Sequence, residues 1–271
     1  MTSYLNDRPS GYLFTGSAGS YDRFMGRYSN GLARALADTA KVGGPARVLD
    51  VGCGPGALTA VLAERVGPEK VAAIDPAPQF TAACRARVPG ADIRTGVAEH
   101  LPWGDGQFDA VLSCLVIAFM TDPDRALREM RRVTRPGGVI AVCMWDTAAG
   151  GMMMLSLFWA AVRQVDPAST GERSLAGTHE GDIAERLAGA GLSEVASGAL
   201  TVSAAYADFA DLWEPFTHGI GPAGQHLVSL RPEQRAMVHD RYRDLVAGRT
   251  GRSTGSFALD ARAWYATGRV P

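Results

Sequence analysis

Val48-Leu49-Asp50-Val51-Gly52-Cys53-Gly54-Pro55-Gly56 is an apolar strand that runs into an acid and then into three closely spaced glycines. Glycines at this spacing let the backbone turn sharply from strand to helix, and they let a ligand lie against peptide groups with no side chain between. A nucleotide-like cofactor is the natural occupant of such a loop. Twenty-five residues beyond Asp50, a second apolar run, 70–74, ends in Asp75. An ionised carboxylate only accepts hydrogen bonds, so Asp75 at the end of the neighbouring strand can take both hydroxyls of a ribose.

Outward from this stretch, strands alternate with helices. A helix over 29–42 precedes strand 46–51; helix 56–66, strand 70–74, helix 77–87, strand 91–95 and strand 108–113 follow. This is the rhythm of a parallel sheet covered on both faces. Asp122-Pro123 opens the next helix, with Asp as N-cap and Pro in its first turn; Gly137-Gly138 stops it, and 139–145 is a buried strand. Further on, 152–165 is apolar on most faces and 167–177 is a polar loop. Helix 180–190, strand 193–204, helices 206–218 and 232–247 separated by a loop, and strand 254–266 complete the reading.

The Asp50-x-Gly52-x-Gly54-x-Gly56 pattern, Asp75, the strand Phe108-Asp109-Ala110-Val111-Leu112 and Arg135-Pro136-Gly137-Gly138 ahead of another strand resemble the class I S-adenosylmethionine-dependent methyltransferases. More narrowly they resemble the small-molecule enzymes of the type 11 and ubiquinone-biosynthesis kind, over the span from Tyr21 to Asp146. The resemblance implies an α/β, Rossmann-like, mostly parallel seven-stranded sheet with helices on both faces, its last two strands an antiparallel edge pair. About fifty residues, 205–253, then fall between those two strands. An insertion of that length suits a functional element, and with 152–165 it is expected to form a helical cap over the active site, or alternatively a structural appendage or homodimer contact. The corresponding division is 1–45 as a cofactor-covering segment and helix, 46–146 as the cofactor-binding core, and 147–271 as cap insertions with the last helix and edge strands.

Composition narrows the partners. Lys and Arg number 27 against 28 acids, so a net charge of −1 supplies no long-range pull on nucleic acid. Cys53, Cys84, Cys114 and Cys143 are far apart in sequence, without zinc spacing, and read as reduced buried thiols. The polar N-terminus, with Asn6, Asp7 and Pro9, lacks the apolar core of a signal peptide, and the longest apolar stretch, 110–120, is too short to span a bilayer. The expectation is a cytoplasmic protein without membrane or metal.

By resemblance, S-adenosylmethionine is the cofactor and the acceptor is a small molecule methylated on O, N or C. Gly52, Gly54 and Gly56, with Asp50, would carry the methionine part, Asp75 the ribose, and the backbone at Val97 and Ala98 the adenine edge, with Pro76 on its face. Many relatives place an Asp where this chain has Val97; Glu99 is the nearest acid. Tyr21 is expected near the methionine carboxylate with Arg27 as charge partner, and Cys114 closes the fourth strand in the same cluster. His218 is the candidate general base, with His100 second; Trp145, Trp213 and Phe216 are candidate walls for an apolar or aromatic acceptor. Gly52-x-Gly54-x-x-Ala57 also satisfies the dinucleotide fingerprint, so an NAD(P)-dependent oxidoreductase is the alternative. Asp50 before the first glycine, the third glycine and the lack of a basic residue in the helix before Arg65 weigh against it. A cofactor-binding scaffold or cyclase is a further alternative.

Overall fold

A computed structural model describes residues 17–169, 171–172 and 175–271. The polar stretch 1–16, and Thr170, Arg173 and Ser174 of the polar loop, lie outside the described residues. Near the N-terminus, α1 (Ala18–Tyr21) runs through a π-helical turn (Asp22–Gly26) into α2 (Arg27–Thr39). The alternation then follows as β1 (Val48–Val51), α3 (Ala57–Val66), β2 (Val71–Asp75), α4 (Pro78–Arg87), β3 (Asp92–Thr95) and β4 (Phe108–Cys114). Next come α5 (Pro123–Val133), β5 (Thr134–Trp145), α6 (Met153–Val165), α7 (Asp182–Gly189) and β6 (Ser193–Tyr206).

All seven strands form one sheet in the order β3-β2-β1-β4-β5-β7-β6, where β7 is Phe257–Arg269. β3, β2, β1, β4 and β5 are mutually parallel, while β7 runs antiparallel between β5 and β6. Every residue of β1 and β2 is buried, as strands covered on both faces require. The order reverses at β1, with β2 on one side and β4 on the other, and this is where open α/β sheets bind ligands.

Local chemistry explains the boundaries. Asp122 caps α5 by accepting from the Arg125 amide, and Pro123 stands in the first turn, where no backbone donor is needed. The helix ends at Val133, three residues before Pro136, so β5 begins at Thr134 rather than after Gly137-Gly138. Between β6 and β7 lie α8 (Phe209–Trp213), a 3-10 turn (Glu214–His218), α9 (Gly221–Ser229) and α10 (Pro232–Thr250). Two expectations are corrected here. The stretch 206–218 is not one helix, because β6 extends to Tyr206 and Pro215 breaks the hydrogen-bond ladder; and the Gly- and Pro-containing loop before Pro232 contains α9, with Pro222 in its first turn.

Candidate active site at the carboxyl ends of the strands

An open cavity with about 1010 Å³ of empty space lies at the carboxyl ends of β1 to β4. β1 brings Asp50, Gly52 and Gly54 to it, β2 brings Asp75 and Pro76, β3 leads into Val97 and Ala98, and β4 ends at Cys114 on the same wall. The glycine loop is pinned to the neighbouring strand: the Gly52 and Cys53 amides both donate to the Ile74 carbonyl, at 2.8 and 3.0 Å. Gly52 has φ 78°, and a Cβ there would stand 2.4 Å from a Val116 methyl, so both backbone conformation and space demand glycine. Gly54 differs. Its φ is 52°, yet a Cβ would meet nothing within 4 Å, because that position opens onto the cavity. Gly56 follows as the N-cap residue of α3.

Asp75 does two jobs. Its Oδ2 accepts from the Gly54 amide and its Oδ1 from the Ala77 amide, each at 2.9 Å, so the carboxylate ties the glycine loop to the start of α4. Each oxygen keeps a further lone pair for a ligand donor. Burial raises its pKa, and the two amide donors hold the rise in check. Asp50 is fully buried; Thr59 donates to its Oδ2 at 2.7 Å, while its Oδ1 has no hydrogen-bond partner. Burial pushes the Asp50 carboxyl up to about 7, against the Thr59 hydrogen bond and with a smaller push from the Asp75 charge.

Tyr21 also lines the cavity, its ring 5.3 Å from that of Phe80. Val97 is 41% exposed on the opposite side, where a backbone contact is all that a valine can offer a polar edge. Glu99 does not replace the missing carboxylate freely: its Oε1 accepts from the Thr121 and Asp122 amides at 2.7 and 3.1 Å and braces the start of α5.

Besides Gly56 and His100, five expected site residues lie outside the cavity wall. Arg27 is on an exposed part of α2, where its guanidinium pairs with Asp211, donates to the Ala205 carbonyl at 2.9 Å and stands 5.0 Å over the Tyr206 ring. It therefore faces the insertion rather than Tyr21's side of the cavity. Trp145 is 3% exposed and meets the Tyr28 ring edge-on at 5.9 Å, a core contact. Phe216 is fully buried, stacked at 4.5 Å on Phe158 with the Tyr242 ring edge-on at 5.7 Å. Trp213 stacks beside Phe216 and meets His239 edge-on. His218 is held by Glu214 on one ring nitrogen, with the Ser20 hydroxyl at 3.4 Å from the other. The physical cause is common to the aromatic residues: large rings gain more by covering one another than by standing around an open cleft.

Other wall residues carried no motif. Leu115, Val116, Phe119 and Met120 come from the segment after β4, and Ser29 and Ala33, four apart on one face of α2, come from the other side. Leu115 has φ 66°, a conformation that costs a residue with a Cβ about 1–2 kcal/mol. Its amide is fixed by the Cys143 carbonyl at 2.9 Å. The small pair Ser29 and Ala33 on an otherwise amphipathic helix was the only sequence signal for this wall.

Among the described residues, no helix is long and apolar enough to cross a membrane, and no group of three or more His, Cys, Asp or Glu side chains is placed to hold a metal.

A family model described as a methyltransferase domain matches residues 49–142. The chain is 43% identical over 101 residues to an uncharacterized methyltransferase of Mycobacterium bovis, covering 37% of this chain and 40% of that protein. It is 34% identical over 163 residues to the malonyl-(acyl-carrier protein) O-methyltransferase of Serratia marcescens, covering 60% of each. Matched curated relatives are spanned over 30% to 60% of their length. In fold, the chain aligns at a TM-score of 0.56 and 15% identity with a Haemonchus contortus phosphoethanolamine N-methyltransferase 2, solved with phosphomonomethylethanolamine and S-adenosylhomocysteine, over 94% of this chain and 57% of that one. With the strand order and the glycine loop already described, these likenesses identify a methyltransferase domain over residues 49–142.

Proposed function

We propose that this protein transfers a methyl group from S-adenosylmethionine to a small-molecule acceptor. The observation that carries the reading is the buried, unpartnered Oδ1 of Asp50 beside a glycine loop whose middle position opens onto the cavity. A buried carboxylate oxygen without a donor is costly unless a ligand supplies one, and the α-ammonium of a methionine moiety is such a donor. Gly52, Gly54 and Gly56 would let that moiety lie on the backbone. The free lone pairs of Asp75 would take the ribose hydroxyls, while Pro76, Val97 and Ala98 would border the adenine. Tyr21 would close the cavity over the methionine end, and Cys114 would form part of the floor.

When bound, the cofactor supplies a methyl group on a sulfonium that is its own leaving group. The protein's part is then to hold the acceptor in line and keep water out. Leu115, Val116, Phe119 and Met120 supply the apolar wall for that purpose.

The dinucleotide alternative fits these surroundings poorly. A pyrophosphate would lie against a loop flanked by Asp50 and Asp75, and no lysine, arginine or histidine is among the described residues of the cavity wall. Calorimetry tests the choice: S-adenosylmethionine and S-adenosylhomocysteine should bind in the micromolar range, and NAD and NADP should not bind. Tight NAD binding would reverse the assignment.

A further inference from the structure

β6 is the outermost strand of the sheet, paired with β7 on one side. Which of its backbone groups face outward follows from the bonds on the far side of β7. Arg262 accepts from the Asp146 amide and donates to the Gly151 carbonyl, and Val270, just past β7, accepts from Gly137 and donates to Gly138. Even-numbered residues of β7 therefore turn their backbone groups toward β5, and odd-numbered ones turn toward β6. The register sets Leu200 against Ala263 and Val202 against Ala261, so the even residues of β6 are the ones bonded to β7. Ser197, Ala199, Thr201 and Ser203 then point their N–H and C=O groups outward, and all four residues are exposed. Among the described residues, none bonds to these groups. The next carbonyl in the row, Ala205, is taken by the Arg27 guanidinium.

An open edge is a template for a further strand unless charge, proline or a bulge blunts it. Here such devices stand only at the two ends. The register shift between Ser193 and Ala196, with Glu194 at φ 48°, closes one end, and Arg27 closes the other. Between them, 196–204 contains no charged residue and no proline over a length of about 30 Å.

This segment, Ala-Ser-Gly-Ala-Leu-Thr-Val-Ser-Ala, is close to its own reverse about Leu200. Antiparallel pairing with a second copy, on a two-fold axis at Leu200, sets Ala196 opposite Ala204, Ser197 opposite Ser203, and Ala199 opposite Thr201. Gly198 then faces the larger Val202. The outward groups match as well: 197 with 203 and 199 with 201 are hydrogen-bonded pairs, giving about eight bonds across the axis. Beyond the ladder, Glu194 of each copy, its side chain 74% exposed, comes to the Tyr206 end of the other, where Arg27 stands over the ring. Opposite charges thus meet at both ends.

From this self-complementarity we propose that two copies of the chain pair edge to edge through 196–204 of β6, antiparallel about Leu200, and join their sheets into one.

Sedimentation velocity of the full chain at about 50 μM should show a species of twice the chain mass. Thr201→Pro removes an outward N–H and costs β7 no bond, so it should fold by circular dichroism while association weakens at least tenfold. Ser197→Lys with Ser203→Lys sets like charges opposite each other and should give a monomer, whereas Ser197→Glu with Ser203→Lys sets opposite charges there and should restore the dimer. The proposal is overturned by a monomeric parent, by a dimer that persists in Thr201→Pro or in the double-lysine variant, or by a Glu–Lys variant that stays monomeric. Should Thr201→Pro fail to fold, the two double variants decide.

Discussion

The carboxyl ends of β1 to β4 and the insertion between β6 and β7 place their polar and aromatic groups in opposite ways. At the strand ends, carboxylates and amides converge on open space, and each hydrogen bond fixes a loop without filling the cavity. In the insertion, Trp213, Phe216 and Tyr242 turn toward one another and toward Phe158 of α6, and none of these rings reaches the cavity wall. The contrast teaches that a residue's chemistry marks a site only where the backbone is held from outside. Strand ends are held by the sheet. A helical insertion must make its own core, and its largest apolar side chains go there first.

The sharpest way to break this comparison is Phe216→Ala. Removing a fully buried ring that is stacked at 4.5 Å on Phe158 should cost about 3–5 kcal/mol of stability by denaturant unfolding. Where the variant remains folded, its S-adenosylhomocysteine affinity should stay within about threefold of the parent, a change near 0.6 kcal/mol. A large affinity loss at unchanged stability would return Phe216 to the site.

Asp75→Ala probes the other region. It should weaken cofactor binding by about 2–4 kcal/mol, the loss of the two charge-assisted hydrogen bonds that the proposed function gives it to the ribose. Here a stability loss is also expected, since the Gly54 and Ala77 amides lose their acceptors. Calorimetry and thermal melting on one sample separate the two effects.

A pH series sharpens the role of Asp50. Its carboxyl is raised from 3.8 to about 7 in the folded chain, so between roughly pH 4 and 7 the native state holds a proton that the unfolded state has released. Stability of the free protein should therefore fall as pH rises through that window and level off above it. Cofactor affinity should do the reverse, rising by up to about tenfold per pH unit below 7, because an ammonium beside Asp50 favours its ionised form. Asp50→Asn should remove most of both slopes, with a remainder from Asp75, whose pKa is also raised by burial.

The smallest effect is expected from Arg27→Ala. Its guanidinium clasps Asp211 at a partly exposed site, so stability should fall by no more than about 1 kcal/mol. S-adenosylhomocysteine affinity should be unchanged by calorimetry. A tenfold loss would put Arg27 back beside the methionine carboxylate.

Much of the fold was legible in order and period. The strand and helix alternation up to Trp145 matches β1 to β5, and the Asp122-Pro123 start of α5 is found as read. Misreadings cluster where period 2 and period 3.6 give way to turn chemistry. The extension of β6 to Tyr206 and the short helix over Gly221–Ser229 depend on what packs behind them, which local sequence does not encode.

For the site, sequence alone determined the residues whose backbone role admits few substitutes. Glycines at positive φ, a carboxylate at each of two adjacent strand ends, and an apolar strand leading into them can be read from residue type and spacing, because the constraint is local. Only the tertiary structure decided the rest. It turned Trp145, Phe216 and Trp213 into packing, took Arg27 and His218 as tethers to the insertion, and assembled the apolar wall from α2 and the segment after β4. The reason is physical. Whether an aromatic or charged side chain faces a ligand or a neighbour depends on long-range packing that competes for the same surface, and no local pattern records which contact wins.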